Sequence, residues 1–122
     1  MSIGYSLAGP ILLEDLRCEN LKNPLGIDNI TPHFSWKVLC DIPMSQEYYE
    51  IQVGADSLEL SRGKADLWNS GKTKSCASVM IPYQGKDLKS RQLCYWRVRV
   101  GNEKGELSEW SPIQRFAIGI LG

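Results

Sequence analysis

A chain of 122 residues has room for one domain around one core. Hydrophobic residues make up 43% and charged residues 23%, which excludes a disordered or collagen-like chain. The 14 basic residues balance the 14 acidic ones and no apolar run is long enough to cross a bilayer, so neither nucleic acid nor membrane is an expected partner.

Residues 1–10 carry no Lys or Arg and no proper apolar core, so they do not read as a signal peptide. They are expected to be a leader or linker stub ahead of a domain over residues 11–122. A trimmed export signal and an added leader would both leave such a stub. Location is therefore not fixed, with secreted or periplasmic slightly favoured over cytoplasmic.

Period-2 alternation runs through nearly all of the remainder. Leu12, Leu16 and Cys18 alternate with Asp15 and Arg17 as a first strand. Asn23-Pro24-Leu25-Gly26 then suits a turn. A strand over 32–40 puts Phe34, Trp36, Val38 and Cys40 on one face, and one over 48–55 does the same with Tyr49, Ile51, Val53 and Ala55. Residues 57–66 suit a short helical turn or an irregular crossing, and 67–72 a short edge strand. A strand within 76–82 has Ala77, Val79 and Ile81 as its inward set. The clearest strand is 94–100, where Cys94, Trp96, Val98 and Val100 alternate with Tyr95, Arg97 and Arg99. Asn102-Glu103-Lys104-Gly105 reads as a hairpin loop, and a last strand carries Phe116 and Ile118. Seven short strands without a long helix predict an all-β fold, a seven-stranded sandwich in preference to a small barrel.

Trp36, the Tyr49–Ile51–Val53 alternation and a leucine ahead of the aromatic strand 94–100 resemble fibronectin type III, an immunoglobulin-like sandwich. A closer resemblance rests on five segments in order: Leu16 through Asp28, Pro32-His33-Phe34-Ser35-Trp36-Lys37, Leu67-Trp68-Asn69-Ser70-Gly71-Lys72, Tyr95-Trp96-Arg97-Val98-Arg99-Val100 and Glu109-Trp110-Ser111. Together they resemble the N-terminal region of bacterial α-L-rhamnosidases (glycoside hydrolase family 78 type). The resemblance implies a fragment of a larger multidomain protein. Carboxylates of a separate, downstream (α/α) barrel would there cleave terminal α-L-rhamnose from glycans or glycosides. No catalytic residue carries over to this chain, which would be a non-catalytic accessory module packing against neighbouring domains of the same polypeptide. Family members usually carry an aromatic residue where Cys94 stands. A tyrosine at that corner often bonds back to the preceding loop, which a thiol does poorly, so packing is expected to hold the corner instead.

The residues by themselves point the same way. Glycoside hydrolysis needs two carboxylates facing each other across a sugar. Glu14, Asp15, Asp28, Asp41, Glu47, Glu50 and Asp56 fall on predicted loops or outward strand positions and read as surface charge. His33 is the only histidine, no Cys-x-x-Cys spacing occurs, and no Gly-rich phosphate loop is present, so no metal or cofactor is expected. Asn29-Ile30-Thr31 matches a glycosylation acceptor, a pattern common by chance. Strand order makes two bridges conceivable, Cys18 to Cys94 and Cys40 to Cys76, although buried free cysteine is equally at home in a core.

Ser108-Glu109-Trp110-Ser111 is half of the Trp-Ser-x-Trp-Ser box of class I cytokine receptors, with Leu107 where the first tryptophan would be. Arg97 and Arg99 alternate outward, so Trp110 is expected between them as a structural cation–π ladder. Trp68, Tyr95 and Trp110, with Tyr83, are candidate sugar or partner contacts. Two alternatives to the scaffold reading stay open: a carbohydrate-binding module for rhamnose-containing glycans, and a receptor-type fibronectin domain for a protein ligand.

Overall fold

Among the described residues, alternating side chains along nine short strands build two sheets that face each other across one core. The computed structural model describes residues 11–40 and 45–121; the expected leader, residues 1–10, lies outside them. The strands are β1 (Leu12–Cys18), β2 (Leu25–Ile27), β3 (His33–Leu39), β4 (Gln46–Gly54), β5 (Trp68–Asn69), β6 (Thr73–Lys74), β7 (Ile81–Pro82), β8 (Leu93–Asn102) and β9 (Gln114–Ile118). A single turn of helix, α1 (Ser57–Ser61), follows β4 and is capped by Asp56, whose carboxylate accepts from the Glu59 amide at 2.8 Å. One sheet runs β1-β3-β7. The other runs β2-β9-β8-β4-β5, with β6 also on β4.

The sandwich is the expected one, with two subdivisions. The predicted edge strand over 67–72 is two short pieces, β5 and β6, on either side of the left-handed Gly71. The predicted turn at Asn23–Gly26 instead runs into β2, which lies parallel to β9; Asn23 helps seat it by accepting from the Arg115 amide at 2.9 Å.

Phe34, Trp36, Trp96 and Phe116 fill the core, and Phe34 touches Trp96 and Phe116 at centroid distances of 4.6 and 5.8 Å. Burying each such ring contributes on the order of 1.5–3 kcal/mol. The indole N–H of Trp36 is satisfied by Gln46, donating to its Oε1 at 3.1 Å. The Gln46 amide nitrogen in turn donates to the Ser75 and Ala77 carbonyls, tying the 75–77 segment to β3 through a buried polar strap.

Two inward sets were misassigned by simple alternation, both for the same reason. Asp15 adopts φ 51° and the β1–β3 register shifts between Glu14 and Arg17. That bulge turns Leu12 outward opposite Leu39, while Leu13 packs on the core. Likewise Met80 adopts φ 56°, and the strand expected within 76–82 shrinks to β7. Ile81 stays buried, but Ala77 and Val79 are exposed, Val79 at 65%. Ala55, expected inward, lies past the end of β4 and is exposed.

The corner between β7 and β8 is held by more than packing. Tyr83 is buried and its hydroxyl donates to the Lys86 carbonyl at 2.6 Å. Burial, then the nearby Cys94, Asp87 and Asp66, pushes its phenol up to about 12, so it stays a donor. Gly85 sits inside this loop where a Cβ would strike the Leu67 carbonyl, the Trp68 Cβ and the Tyr83 hydroxyl. A tyrosine from the β7 side thus does what Cys94 cannot.

Candidate functional site

The outward face of the β9-β8-β4 sheet carries most of the organised polar and aromatic chemistry. Arg97 and Arg99 project from β8 in register with Gln52 and Glu50 of β4. Arg97 Nε donates to Gln52 at 3.0 Å, and Arg99 forms a two-point ion pair with Glu50 at 2.9 and 2.8 Å. Both guanidinium carbons lie over the Trp110 ring, 4.3 and 4.5 Å from its centroid. Each such contact contributes about 0.5–1 kcal/mol at an exposed site. Partial burial, then the positive charge of Arg99, lowers the Arg97 pKa against the opposing pull of Glu50.

Trp110 is held there by its serine neighbours. Beyond Trp96, β8 has no β9 partner, and the 107–111 segment runs along that open edge. The Ser108 and Ser111 hydroxyls each accept from a β8 amide, Val100 and Val98, at 3.0 Å. Their own amides donate to the same two residues' carbonyls at 2.8 Å. Two Ser–Val rungs therefore fix the indole over the arginines. Sequence reasoning gave these serines no role, although Ser-x-x-Ser beside an arginine-bearing strand is the signal that marks them.

The candidate aromatic contacts are not brought together. Trp68 is half-buried on the inner face, 6.4 Å from Phe34 and 5.5 Å from Tyr83 between ring centroids, and caps the core. Tyr83, considered above as a contact residue, is itself core. Tyr95 faces outward opposite Arg115 and lines an open cleft of about 580 Å³ between α1 and β9. Elsewhere on the same sheet, Lys72 lies over the Tyr48 ring at 4.2 Å.

A smaller cleft of about 230 Å³ surrounds Glu19 and His33. Glu19 accepts from the His33 amide at 2.8 Å and from Asn29 at 3.1 Å, and lies 3.1 Å from the His33 ring nitrogen. Burial opposes ionisation, but the bonds from Asn29 and His33 outweigh it and hold the carboxyl below its ordinary value. The Asn29 side chain of the glycosylation-like triplet is thereby engaged, its oxygen also accepting from the Thr31 amide and hydroxyl.

Residues 13–122 match the family model described as Rha78A-like, N-terminal immunoglobulin domain. The chain belongs to this family. An α-L-rhamnosidase of Formosa agariphila is 43% identical over 104 residues, covering 84% of this chain and 11% of the relative. One from Streptomyces avermitilis is 37% identical over 105 residues, covering 85% and 10%. The crystal structure of a Streptomyces avermitilis α-L-rhamnosidase complexed with L-rhamnose superposes with a TM-score of 0.87 at 34% identity, covering 92% of this chain and 11% of that one. The α-L-rhamnosidase structure from Dictyoglomus thermophilum gives 0.86 at 31%, covering 93% and 13%. The chain thus spans about a tenth of the length of the curated relatives it matches.

Within this Rha78A-like immunoglobulin domain, the acidic residues singled out above serve structure where they are engaged. Asp15 binds Arg17 at 2.8 Å and Lys37 at 3.2 Å, and these partners hold its carboxyl below the usual range. Glu50 holds Arg99 and Asp56 caps α1. Glu14 and Asp28 are exposed, Glu47 is partly so, and Asp41 lies outside the described residues. All four cysteines are free thiols. Cys18 and Cys94 are core side chains; burial pushes Cys18 strongly up, and burial followed by Asp66 pushes Cys94 up to about 12. Cys76 is exposed and Cys40 partly so.

Proposed function

We propose that this chain is a non-catalytic accessory sandwich of an α-L-rhamnosidase, with hydrolysis of terminal α-L-rhamnose performed elsewhere in a longer polypeptide. The observation that carries this reading is the match to a tenth of each relative's length, at the domain described as N-terminal. The site geometry supports it. Hydrolysis of a glycoside takes two carboxylates about 5–9 Å apart across a sugar. The larger of the two described clefts is lined by no carboxylate, and the smaller holds only Glu19, already bonded to His33 and Asn29. The role left to such a module is to pack against neighbouring domains of the same polypeptide.

The carbohydrate-binding alternative needs exposed aromatic faces. Trp68 packs against the core and Trp110 against two guanidinium groups, which leaves Tyr95 as the one uncommitted ring of the three candidates. The receptor-type alternative rests on half a tryptophan box, and that half is accounted for by the Ser–Val rungs. Incubating the 122-residue chain with an aryl α-L-rhamnoside tests the reading. No release of the aryl alcohol above the buffer rate is expected; turnover that scales with chain concentration and survives repurification would overturn it.

A further inference from the structure

The lower half of the outward face differs from the ladder above it. Leu25, Ala117 and Leu93 form one in-register row across β2, β9 and β8, with Leu25 65% and Leu93 42% exposed. The next row up pairs Arg115 with Tyr95. There the face dips into the 580 Å³ cleft, walled by Leu58 of α1, itself 58% exposed, and by Ile113. Leu58, Tyr95 and Ile113 share the lining of this seat with Asn23, Ser57, Ser61, Gln114 and Arg115, and the Leu25–Ala117–Leu93 row lies next to it. Arg115 is the one cation lining that seat; it is exposed and makes no ion pair among the described residues, and no carboxylate lines the cleft. Contiguous exposed apolar surface of this kind marks a contact face.

We infer that this Leu25–Leu93–Tyr95–Arg115 face is where the domain docks onto the rest of the polypeptide, seating an apolar surface that presents one carboxylate to Arg115. This rests on the accessory reading above and says which surface does the packing. Two observations choose the occupant. Relatives are roughly ten times longer than this chain and carry it as their N-terminal immunoglobulin domain, so the bulk of such a protein follows β9. The backbone leaving β9 runs along the rim of this same face: Gly119 accepts from the Arg91 amide at 3.1 Å and the Leu121 amide donates to the Ser90 hydroxyl at 2.8 Å, two to three residues from Leu93. Whatever follows is delivered to the apolar row. The opposite sheet also exposes a pair, Leu12 and Leu39, but these lie on the sheet that does not contain β9 and beside the Asp15 ion-pair cluster.

Hydroxyl-radical footprinting tests this by comparing the 122-residue chain alone with the same domain heading a full α-L-rhamnosidase polypeptide. Oxidation of Leu25, Leu58, Leu93 and Tyr95 is expected to slow several-fold in the full polypeptide, with Leu12 and Leu39 unchanged. Arg115→Glu and Leu93→Glu should restore labelling of the face there, while leaving the melting temperature of the chain alone unchanged; Leu12→Glu should do nothing. Protection of Leu12, Leu39 or Trp110 in place of the four would overturn the docking face and leave the accessory reading standing. Protection nowhere would overturn both. Protection of the four in the chain alone, on raising its own concentration or on adding L-rhamnose, would assign the face to a second copy or to sugar and overturn the inference.

Discussion

Replacing Gly85 by alanine adds a single methyl group and should be among the most damaging small changes available to this domain. The added Cβ would meet three fixed atoms at once: the Leu67 carbonyl, the Trp68 Cβ and the Tyr83 hydroxyl. Two are backbone or backbone-proximal, and the third is anchored to the Lys86 carbonyl at 2.6 Å, so none yields by a simple side-chain rotation. Overpacking of this kind costs about 1–3 kcal/mol. If the loop moves instead, it forfeits the Tyr83–Lys86 bond and the Lys86 amide bond to Leu67 at 2.9 Å, each a net contribution of about 1 kcal/mol. Either route leads to about 2–3 kcal/mol, a large share of the 5–15 kcal/mol typical of a domain. With an m-value of about 2 kcal/mol/M, the urea midpoint should fall by about 1 M or more. Tyr83→Phe removes only the hydroxyl and should cost about 1 kcal/mol. The two changes share one loop, so the double variant should be less destabilised than the sum. A Gly85→Ala midpoint indistinguishable from the parent, with the m-value unchanged, would refute the idea that this corner is sterically closed.

Two other perturbations probe the polar surface. Glu19 has a folded pKa below its unfolded one, so its contribution to stability is fully present above the ordinary glutamate range and is lost as pH falls through the folded value. Glu19→Gln should therefore destabilise by about 1–2 kcal/mol at pH 7 and by much less near pH 3 in parallel urea titrations; equal losses at both pH values would contradict the assignment. Trp110→Ala removes two guanidinium contacts and should cost about 1–2 kcal/mol, while Ser108 and Ser111 keep their rungs; indole-ring loss without a shift in the melting curve would make the ladder ornamental to stability.

The central strands were legible because their side chains alternate without interruption and both faces are specified. Cys94, Trp96, Val98 and Val100 of β8 and Ile51 and Val53 of β4 are all buried, as period 2 requires. The same alternation placed Arg97 and Arg99 outward, which is why a Trp110 ladder could be anticipated at all. What failed was local backbone geometry. Asp15 and Met80 take positive φ with no glycine to announce it; the register shift at Asp15 reverses the facing of the residues before it, and past Met80 the ladder to β3 is only Ile81–Pro82 long. Nothing in the sequence around Tyr83 separates a surface aromatic from one whose hydroxyl folds back three residues to a carbonyl. The cleft beside Tyr95 was invisible for another reason: its walls come from α1, β8 and β9, and their juxtaposition is a property of the sandwich.

The central claim is that this sandwich supports an enzyme without itself recognising the sugar. Titrating the 15N-labelled chain with L-rhamnose and rhamnose-bearing oligosaccharides, following each amide shift, tests it most directly. The account predicts a flat response into the millimolar range at Trp68, Tyr95 and Trp110 alike. Saturable shifts converging on Tyr95 and the cleft around it, or on either tryptophan, would contradict it and make the domain a carbohydrate-binding module.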